Sequence, residues 1–291
     1  MPHEFDLHTH TVHSDGTTQP EDNVLMAKEL GLAGLALTDH DTVSGWAQMR
    51  DACTRHGLVF IPGIELSTER DGRSVHLLGY WVSSDDGPLM AECDRLRNER
   101  VRRAEQICAR LAELGMPIDI ERVRAIAGDA PVGRPHLASA MIEAGHVEDI
   151  QDAFDHYLAD DGPAYVPKYA VDPVRGLELL RAAGGAVVLA HPGVSEDGGG
   201  SVTPALLDEL AAAGLAGVEV DHPAHEPDVA ARWRALARGH GLVVTGASDF
   251  HGERKDLRLG DRTTPAEVLE QLQAAADNEM YGKVSVSPTA R

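Results

Sequence analysis

The chain has 291 residues, 43% of them hydrophobic, which is enough to bury a large core in a single barrel-sized domain. Its 47 acidic residues against 26 basic ones give a net charge of −21, so we expect no broad basic face and no binding to a DNA duplex. The sequence shows no basic segment followed by an apolar one at its start, and no apolar run of about 20 residues. We therefore expect a cytoplasmic protein that binds no membrane, and the oligomeric state stays open.

The first third of the chain alternates between strand and helix patterns. Strands are predicted at 5–7, 32–37, 58–64 and 75–82. One helix is predicted to begin after a capping box formed by Thr18 and Glu21, and another covers 44–56. This rhythm predicts parallel strands with helices packed outside them, which is the pattern of an α/β fold.

The rhythm then changes to helices alone. A long, arginine-rich helix is predicted over 88–114, followed by shorter ones at 120–127, 135–144 and 147–158. We interpret 99–166 as an all-helical insertion that caps the substrate and divides a barrel into 1–98 and 167–291. The arginines are also explained as a solvated face with charge pairs along the helix. Alternation resumes with helices at 173–183, 204–213, 228–240 and 265–277 and with strands at 185–190, 216–220 and 242–245.

Histidines and acids recur where these apolar strands end. In His8-Thr9-His10 both imidazoles face one way, because strand side chains alternate with a period of two, and Asp249-Phe250-His251 repeats that geometry. Glu65 ends an apolar strand, where a carboxylate is costly unless it is paired or bound to metal. Each position alone is also explained by packing. Together they predict a multinuclear metal site at the strand ends of an α/β barrel, with the candidate ligands His8, His10, Asp15, His40, Glu65, His76, His191, Asp249 and His251.

These motifs resemble those of the PHP (polymerase and histidinol phosphatase) domain of metal-dependent phosphoesterases. The matching stretches are Asp6-Leu7-His8-Thr9-His10, Ser14-Asp15-Gly16, Thr38-Asp39-His40-Asp41, Gly63-Ile64-Glu65, Ala190-His191-Pro192-Gly193 and Gly246-Ala247-Ser248-Asp249-Phe250-His251-Gly252. The insertion resembles the branch that hydrolyses small nucleotides and short RNA, through Gly133-Arg134-Pro135-His136 and Ala164-Tyr165-Val166-Pro167-Lys168-Tyr169. The resemblance implies an α/β fold, specifically a distorted (β/α)7 barrel with an all-helical insertion and two or three metal ions.

The resemblance also implies how the ligands divide among the metal ions. The first ion would be held by His8, His10, Glu65 and Asp249. Glu65 would bridge to a second ion, completed by His76 and His191. The third would be held by Asp15, His40 and His251. Mixed nitrogen and oxygen ligands suit Mn²⁺, Fe²⁺ or Zn²⁺.

Catalysis is expected to use a hydroxide held between two cations, because coordination lowers the pKa of water from about 15.7 toward 7. Glu65 and Asp249 are the predicted catalytic carboxylates. His222 is a candidate acid for the leaving group and His225 a candidate substrate contact, although both are also explained as ordinary loop histidines.

Substrate contacts are also expected from two cations of the insertion. Arg134 offers a bidentate fork to a phosphate and Lys168 a point charge. A basic residue expected soon after His191-Pro192-Gly193 is replaced by Val194-Ser195-Glu196-Asp197, so the exact substrate stays open.

The favoured function is hydrolysis of phosphate from a nucleoside 3′,5′-bisphosphate, or trimming of short oligoribonucleotides from the 5′ end. A phosphatase for another small ester, such as histidinol phosphate, is disfavoured because a bare barrel would suffice for it. A PHP module that binds metal or nucleotide without turnover is disfavoured because no ligand is missing. An amidohydrolase would commonly use a lysine-derived bridging ligand, and Glu65 takes that place here.

Overall fold

The computed structural model describes residues 3–128, 132–194 and 202–277. It divides into two compact units, one formed by Met1–Cys93 with Val171–Arg291 and the other by Asp94–Ala170, which we call the barrel unit and the helical unit. The action of 99–166 as a substrate cap stays a prediction. Of the segment that departs from the expected basic residue, positions 195–197 lie outside the described ranges.

The barrel unit is built on an eight-stranded sheet in the described residues. Its strands are β1 (Glu4–Asp6), β2 (Gly34–Leu37), β3 (Val59–Arg70), β4 (Arg73–Tyr80), β5 (Ala186–Leu189), β6 (Gly217–Asp221), β7 (Val243–Gly246) and β8 (Thr264–Pro265). Their order is β7-β6-β5-β4-β3-β2-β1-β8. Neighbouring strands are parallel except where β4 pairs antiparallel with β3 and β5, and where β8 pairs antiparallel with β1.

The two sides of this sheet approach each other just past the C-terminal ends of β1 and β7. Thr9 and Phe250 form a parallel bridge, and the His10 N–H donates to the Phe250 carbonyl at 2.8 Å. The sheet is therefore a nearly closed barrel, which confirms the predicted α/β barrel class. Seven strands are those that the sequence predicts, and β8 adds a two-residue eighth that the sequence pattern did not indicate. The predicted end of the third strand at residue 64 is wrong, because β3 continues to Arg70 in its antiparallel pairing with β4, so Glu65 and His76 lie within strands rather than at strand ends.

Helices connect the strands and make up the helical unit. They are α1 (Pro20–Glu29), α2 (Trp46–His56), α3 (Gly87–Glu113), α4 (Ile120–Ala127), α5 (Arg134–Glu143), α6 (Ile150–Ala153), α7 (Pro173–Ala182), α8 (Pro204–Ala212), α9 (Pro227–Gly239) and α10 (Ala266–Gln273). A π-helical turn, Phe154–Leu158, continues α6. None of the described helices is both long and apolar enough to cross a membrane.

The predicted capping box at the start of α1 is wrong by one residue. Pro20 occupies the first helical position, where its fixed φ suits the helix, so Gln19 becomes the N-cap. The Gln19 N–H donates to the Asp22 carboxylate at 3.0 Å, and the Thr18 hydroxyl donates to Asn23 Oδ1 at 2.6 Å instead.

The barrel interior is mainly aliphatic, as the low aromatic content requires. Its strands bury side chains on both faces, as expected where helices cover a parallel sheet. The core of the barrel includes Phe5, Leu7, Ile61, Leu78, Tyr80, Trp81 and Val188, all at most 2% exposed. The Tyr80 hydroxyl donates to the Leu7 carbonyl at 2.8 Å, so the one polar atom of this aromatic side chain is satisfied within the core.

The helical unit has its own apolar core. It includes Ile107, Leu111, Val123, Leu137, Met141 and Leu158. Its charges form exposed pairs, such as the two contacts of 2.6 and 2.8 Å between the Arg122 guanidinium and the Glu143 carboxylate. On α3, the pairs Arg97–Asp94 and Arg102–Glu99 are spaced i,i+3. Exposed pairs of this kind contribute little to stability.

Candidate metal centre

The predicted ligands gather at one end of the barrel unit. They form overlapping groups whose ligand atoms lie within 4.8 Å of one another: His8, His10, Glu65 and Asp249; His10, Asp15, His40 and His251; His40, Glu65 and His76; and His8, His191 and Glu219. All nine candidates from the sequence belong to these groups. The last group adds Glu219, which the sequence analysis missed.

Glu65 lies between two sets of imidazoles. Its Oε2 atom is 3.1–3.2 Å from a ring nitrogen of His8, His10 and His40. Its Oε1 atom is 2.8 and 3.2 Å from a ring nitrogen of His76 and His191. Burial alone would raise the pKa of the Glu65 carboxyl, but the imidazoles of His40, His8 and His76 hold it well below its ordinary range. An ionised carboxylate whose two oxygens face different imidazole sets has the geometry of a bridging ligand.

Asp249 also uses its two oxygens differently. Its Oδ1 atom faces inward, 3.3–3.5 Å from ring nitrogens of His8, His10 and His251. Its Oδ2 atom faces the other way, 2.8 Å from Lys255 Nζ and 3.5 Å from His222 Nε2. The backbone of Asp249 has a φ of 53°, a strained conformation for a residue other than glycine. Strain of this kind is concentrated at functional sites, because the surrounding structure must hold it in place.

Asp15 belongs to the group that also contains His10, His40 and His251. Its Oδ1 atom is 3.3 Å from His251 Nε2, 3.5 Å from His10 Nδ1 and 3.9 Å from His40 Nε2. Burial alone would raise the pKa of the Asp15 carboxyl, yet the neighbouring His40, His251 and His10 rings lower it strongly. The ionised form of the Asp15 carboxyl is thereby favoured.

Glu219 is a buried acid on β6 that orients two of the histidines. It accepts from His8 Nδ1 at 3.1 Å and from the His191 backbone N–H at 3.0 Å. The first bond turns His8 Nε2 toward Glu65, as carboxylates behind ligating histidines do. The signal in the sequence was a single acid inside the apolar stretch Gly217-Val218-Glu219-Val220. Lys255 was missed as well, because it lies in the mixed-charge stretch Glu253-Arg254-Lys255-Asp256, which matches no motif.

Several buried atoms of this centre make no hydrogen bond within the described part of the chain, because the carboxylates and imidazoles near them are not aligned for one. They are His10 Nε2, His40 Nδ1, His76 Nδ1, His191 Nδ1, His222 Nε2, His251 Nε2 and Asp249 Oδ1. Leaving a buried polar atom unpaired costs about 1–3 kcal/mol, so a cluster of them indicates a missing partner. Imidazole nitrogens and carboxylate oxygens are donors that divalent transition metals prefer. The residues present therefore fit a divalent metal centre.

His222 and His225 follow β6 and differ in what their rings contact. The Ala224 N–H donates to His222 Nδ1 at 3.1 Å, which leaves the proton of the neutral ring on Nε2, beside Asp249. His225 Nδ1 donates to the Val220 carbonyl at 2.8 Å, while its Nε2 accepts from the Gly193 N–H at 3.1 Å. Burial lowers the pKa of His225, in agreement with this neutral form. A substrate contact by His225 would require one of these bonds to break.

Arg134 and Lys168 lie together in the helical unit. Both line a cavity of about 150 Å³, along with Glu99, Arg100, Arg103, Tyr169 and neighbouring apolar side chains. One terminal nitrogen of the Arg134 guanidinium, Nη1, donates to Asp160 Oδ1 at 2.6 Å and to the Leu158 carbonyl at 3.0 Å. A guanidinium has five N–H donors in all, so these two bonds do not use its full capacity. The predicted pair of cations is therefore brought into one pocket.

Comparison with known proteins agrees with this geometry. A family description, the PHP domain, matches residues 6–87. The chain is 33% identical over 286 residues to the 5′-3′ exoribonuclease Rnm of Escherichia coli, covering 95% of this chain and 97% of that protein. It is 32% identical over 248 residues to a 3′,5′-nucleoside bisphosphate phosphatase of Chromobacterium violaceum, covering 85% and 87%.

A solved structure extends the likeness to three dimensions. It is a metal-dependent phosphoesterase candidate from Bifidobacterium adolescentis, 32% identical, which superimposes with a TM-score of 0.81 over 95% of this chain and 97% of that one. The match covers the helical unit as well as the barrel. With the barrel, the clustered ligands and these similarities in agreement, the chain belongs to the PHP-domain family of metal-dependent phosphoesterases.

Proposed function

We propose that this phosphoesterase acts on small nucleotides, either removing phosphate from a nucleoside 3′,5′-bisphosphate or trimming short oligoribonucleotides from the 5′ end. The observation that carries the proposal is the position of Glu65, whose two buried oxygens face separate sets of imidazoles. Two cations bridged in this way can stabilise both the attacking and the leaving oxygen of a phosphoryl transfer. The activities named for the two relatives support nucleotides as the substrate class.

The ligands would be divided as the family resemblance implies. The first ion would be held by His8, His10, Glu65 and Asp249, the second by Glu65, His76 and His191, and the third by Asp15, His40 and His251. Mn²⁺, Fe²⁺ and Zn²⁺ all suit this donor set. When bound, such ions lower the pKa of a coordinated water toward about 7 and neutralise phosphoryl charge.

The protein's own side chains would supply orientation and a proton. Glu219 fixes the ring of His8, and Asp249 presents Oδ1 to the centre. His222 carries its ring proton on Nε2, at the edge of the centre, and would donate it to the leaving alkoxide. Water attacks the phosphorus directly, the ester bond breaks, and the products are an alcohol and phosphate, with no covalent enzyme intermediate.

The helical unit would contribute the distinction between substrates. We propose that Arg134 and Lys168 bind a phosphate group that is not the one being cleaved. A bisphosphate or an oligoribonucleotide carries such a second phosphate, whereas histidinol phosphate does not. This difference favours nucleotides over the histidinol phosphate alternative. A full set of ligands argues against a module without turnover, and a glutamate in the bridging place argues against an amidohydrolase.

The test is a panel of phosphate esters assayed after chelation and reconstitution with Mn²⁺. The panel contains a nucleoside 3′,5′-bisphosphate, a pentaribonucleotide, histidinol phosphate and p-nitrophenyl phosphate. We expect the highest kcat/KM on the bisphosphate or the pentamer and none without metal. A higher kcat/KM on histidinol phosphate, or no turnover of any ester by the reconstituted protein, would overturn the proposal.

A second arm distinguishes small substrates from polymers. With a net charge of −21, the attractive surface should span few phosphates. Affinity for long RNA should gain little per added nucleotide, and its salt dependence should correspond to roughly two or three phosphate contacts. A large preference for long RNA with a steep salt slope would indicate a processive nuclease instead.

A further inference from the structure

Two cations of the loop that follows His251 contact acids of the metal centre. Lys255 Nζ lies 2.8 Å from Asp249 Oδ2, and an Arg254 guanidinium nitrogen lies 3.9 Å from Asp15 Oδ2. Neither cation was indicated by a motif. Lys255 makes the closer contact, and it does so with the outward-facing oxygen of Asp249, while Oδ1 stays with the imidazoles.

The path of this loop is fixed at both ends. At its start, Gly252 has a φ of 69°, and a Cβ there would lie 2.1 Å from Thr17 Oγ1, so only glycine fits. The Glu253 N–H donates to the same Thr17 oxygen at 2.9 Å. At its end, the Gly260 N–H donates to Asp6 Oδ2 at 2.8 Å. The loop therefore holds the backbone of Lys255 beside the centre.

The side chain of Lys255 is much more exposed than its partner. It is 41% exposed, whereas the Asp249 side chain is 6% exposed. An ammonium on a flexible stem at the edge of a buried centre can leave a carboxylate and follow an entering anion.

We propose that Lys255 is the anion-binding residue of the metal centre, and that its ammonium donates to a non-bridging oxygen of the phosphoryl group being cleaved. This inference rests on the proposed phosphoesterase function and names a contact that the family motifs did not supply. If so, different cations bind the two phosphate groups of the substrate. Lys255 would bind the reacting phosphate, whereas Arg134 and Lys168 would bind the other one.

The test compares Lys255→Ala, Lys255→Gln and Lys255→Arg with the control Arg258→Ala. Arg258 is an exposed cation of the same loop, and in the described structure its guanidinium contacts no acid of the centre. Calorimetry measures two affinities. The first is that of protein stripped of metal by a chelator for Mn²⁺, and the second is that of Mn²⁺-saturated protein for inorganic phosphate. KM and kcat on p-nitrophenyl phosphate are measured alongside.

For Lys255→Ala and Lys255→Gln we expect phosphate affinity to fall about tenfold or more, the value of one charge-assisted hydrogen bond. Mn²⁺ affinity should be unchanged or higher, because a nearby positive charge has been removed. Lys255→Arg should restore most of the phosphate affinity, and Arg258→Ala should resemble the wild type in both.

Two results would overturn the inference. One is a loss of phosphate affinity below fivefold in both neutral variants. The other is a fall in Mn²⁺ affinity, because Lys255 would then serve to orient Asp249. Failure of the proposed function looks different, since wild-type protein saturated with Mn²⁺ would bind phosphate but turn over no ester.

Discussion

The two units of the chain differ in what they bury. The barrel unit places acids and imidazoles in its interior, several of them without a hydrogen-bond partner in the described residues. The helical unit buries apolar side chains, and none of the buried polar or charged side chains of the described chain belongs to it. Buried charge is costly unless it is compensated. The difference indicates that the buried acids and imidazoles of the barrel unit serve a chemical function, while the helical unit is stabilised by apolar packing.

The largest effect on the buried charges of the barrel unit is expected from substituting Glu65. Glu65→Gln removes the charge shared by two imidazole sets, so the variant should bind at least one metal equivalent fewer. Turnover should fall by about 10³-fold or more, since a lost charge at the reacting centre is worth several kcal/mol. Metal content after reconstitution and kcat/KM on a nucleoside bisphosphate measure the two effects.

Glu29→Gln is the matched control for this substitution. Glu29 is an exposed acid near the end of α1, so the same change there should leave metal content and turnover as in the wild type. Circular dichroism should show that both variants are folded. Full metal occupancy in Glu65→Gln would contradict the bridging role.

A smaller effect is expected at Glu219, whose carboxylate accepts hydrogen bonds from His8 Nδ1 and from the His191 backbone N–H. Glu219→Gln should keep the bond to the His191 N–H and weaken the one that orients His8. Metal affinity should fall by about 10- to 100-fold, the usual range for partners of metal-binding histidines. Calorimetric titration of chelated protein with Mn²⁺ measures it, and wild-type affinity would show that Glu219 is only a structural acid.

The helical unit should respond in specificity rather than in metal binding. Arg134→Ala and Lys168→Ala should each lower kcat/KM on a nucleoside bisphosphate by about tenfold or more, because each removes a charge-assisted contact. Activity on p-nitrophenyl phosphate and metal content should change little. Arg122→Ala, which removes an exposed cation paired with Glu143, is the control. Equal losses on both substrates would place these cations at the reacting phosphate.

Much of the barrel and its centre could be predicted from the sequence, because the signals there are local. Two imidazoles separated by one residue of extended backbone point to the same side, and His8 and His10, just past the end of β1, both lie 3.1 Å from Glu65 Oε2. A carboxylate in an apolar stretch needs compensation wherever it lies, and Glu65 fits that rule although it lies within β3 rather than at its end. The alternation of strand and helix then brings such strand ends together at one edge.

What the sequence could not supply depends on contacts between distant residues. Glu219 becomes meaningful only beside His8, which is 211 positions away. Lys255 resembles any exposed lysine until the loop between Gly252 and Gly260 is anchored to Thr17 and Asp6. The capping box failed for a local reason, since Pro20 displaced the cap from Thr18 to Gln19.

The smallest predicted effect tests whether His225 supports the fold rather than the substrate. Its two ring nitrogens bond backbone groups, and burial holds its pKa below the ordinary value. The folded state therefore binds fewer protons at this ring than the unfolded state does, so its contribution to stability is present above about pH 6.5 and is lost as the pH falls below it. His225→Gln removes the titration. The difference in unfolding free energy between wild type and variant, measured with denaturant at pH 7.5 and pH 5.5, should shrink at the lower pH, and a constant difference would favour a role outside the fold.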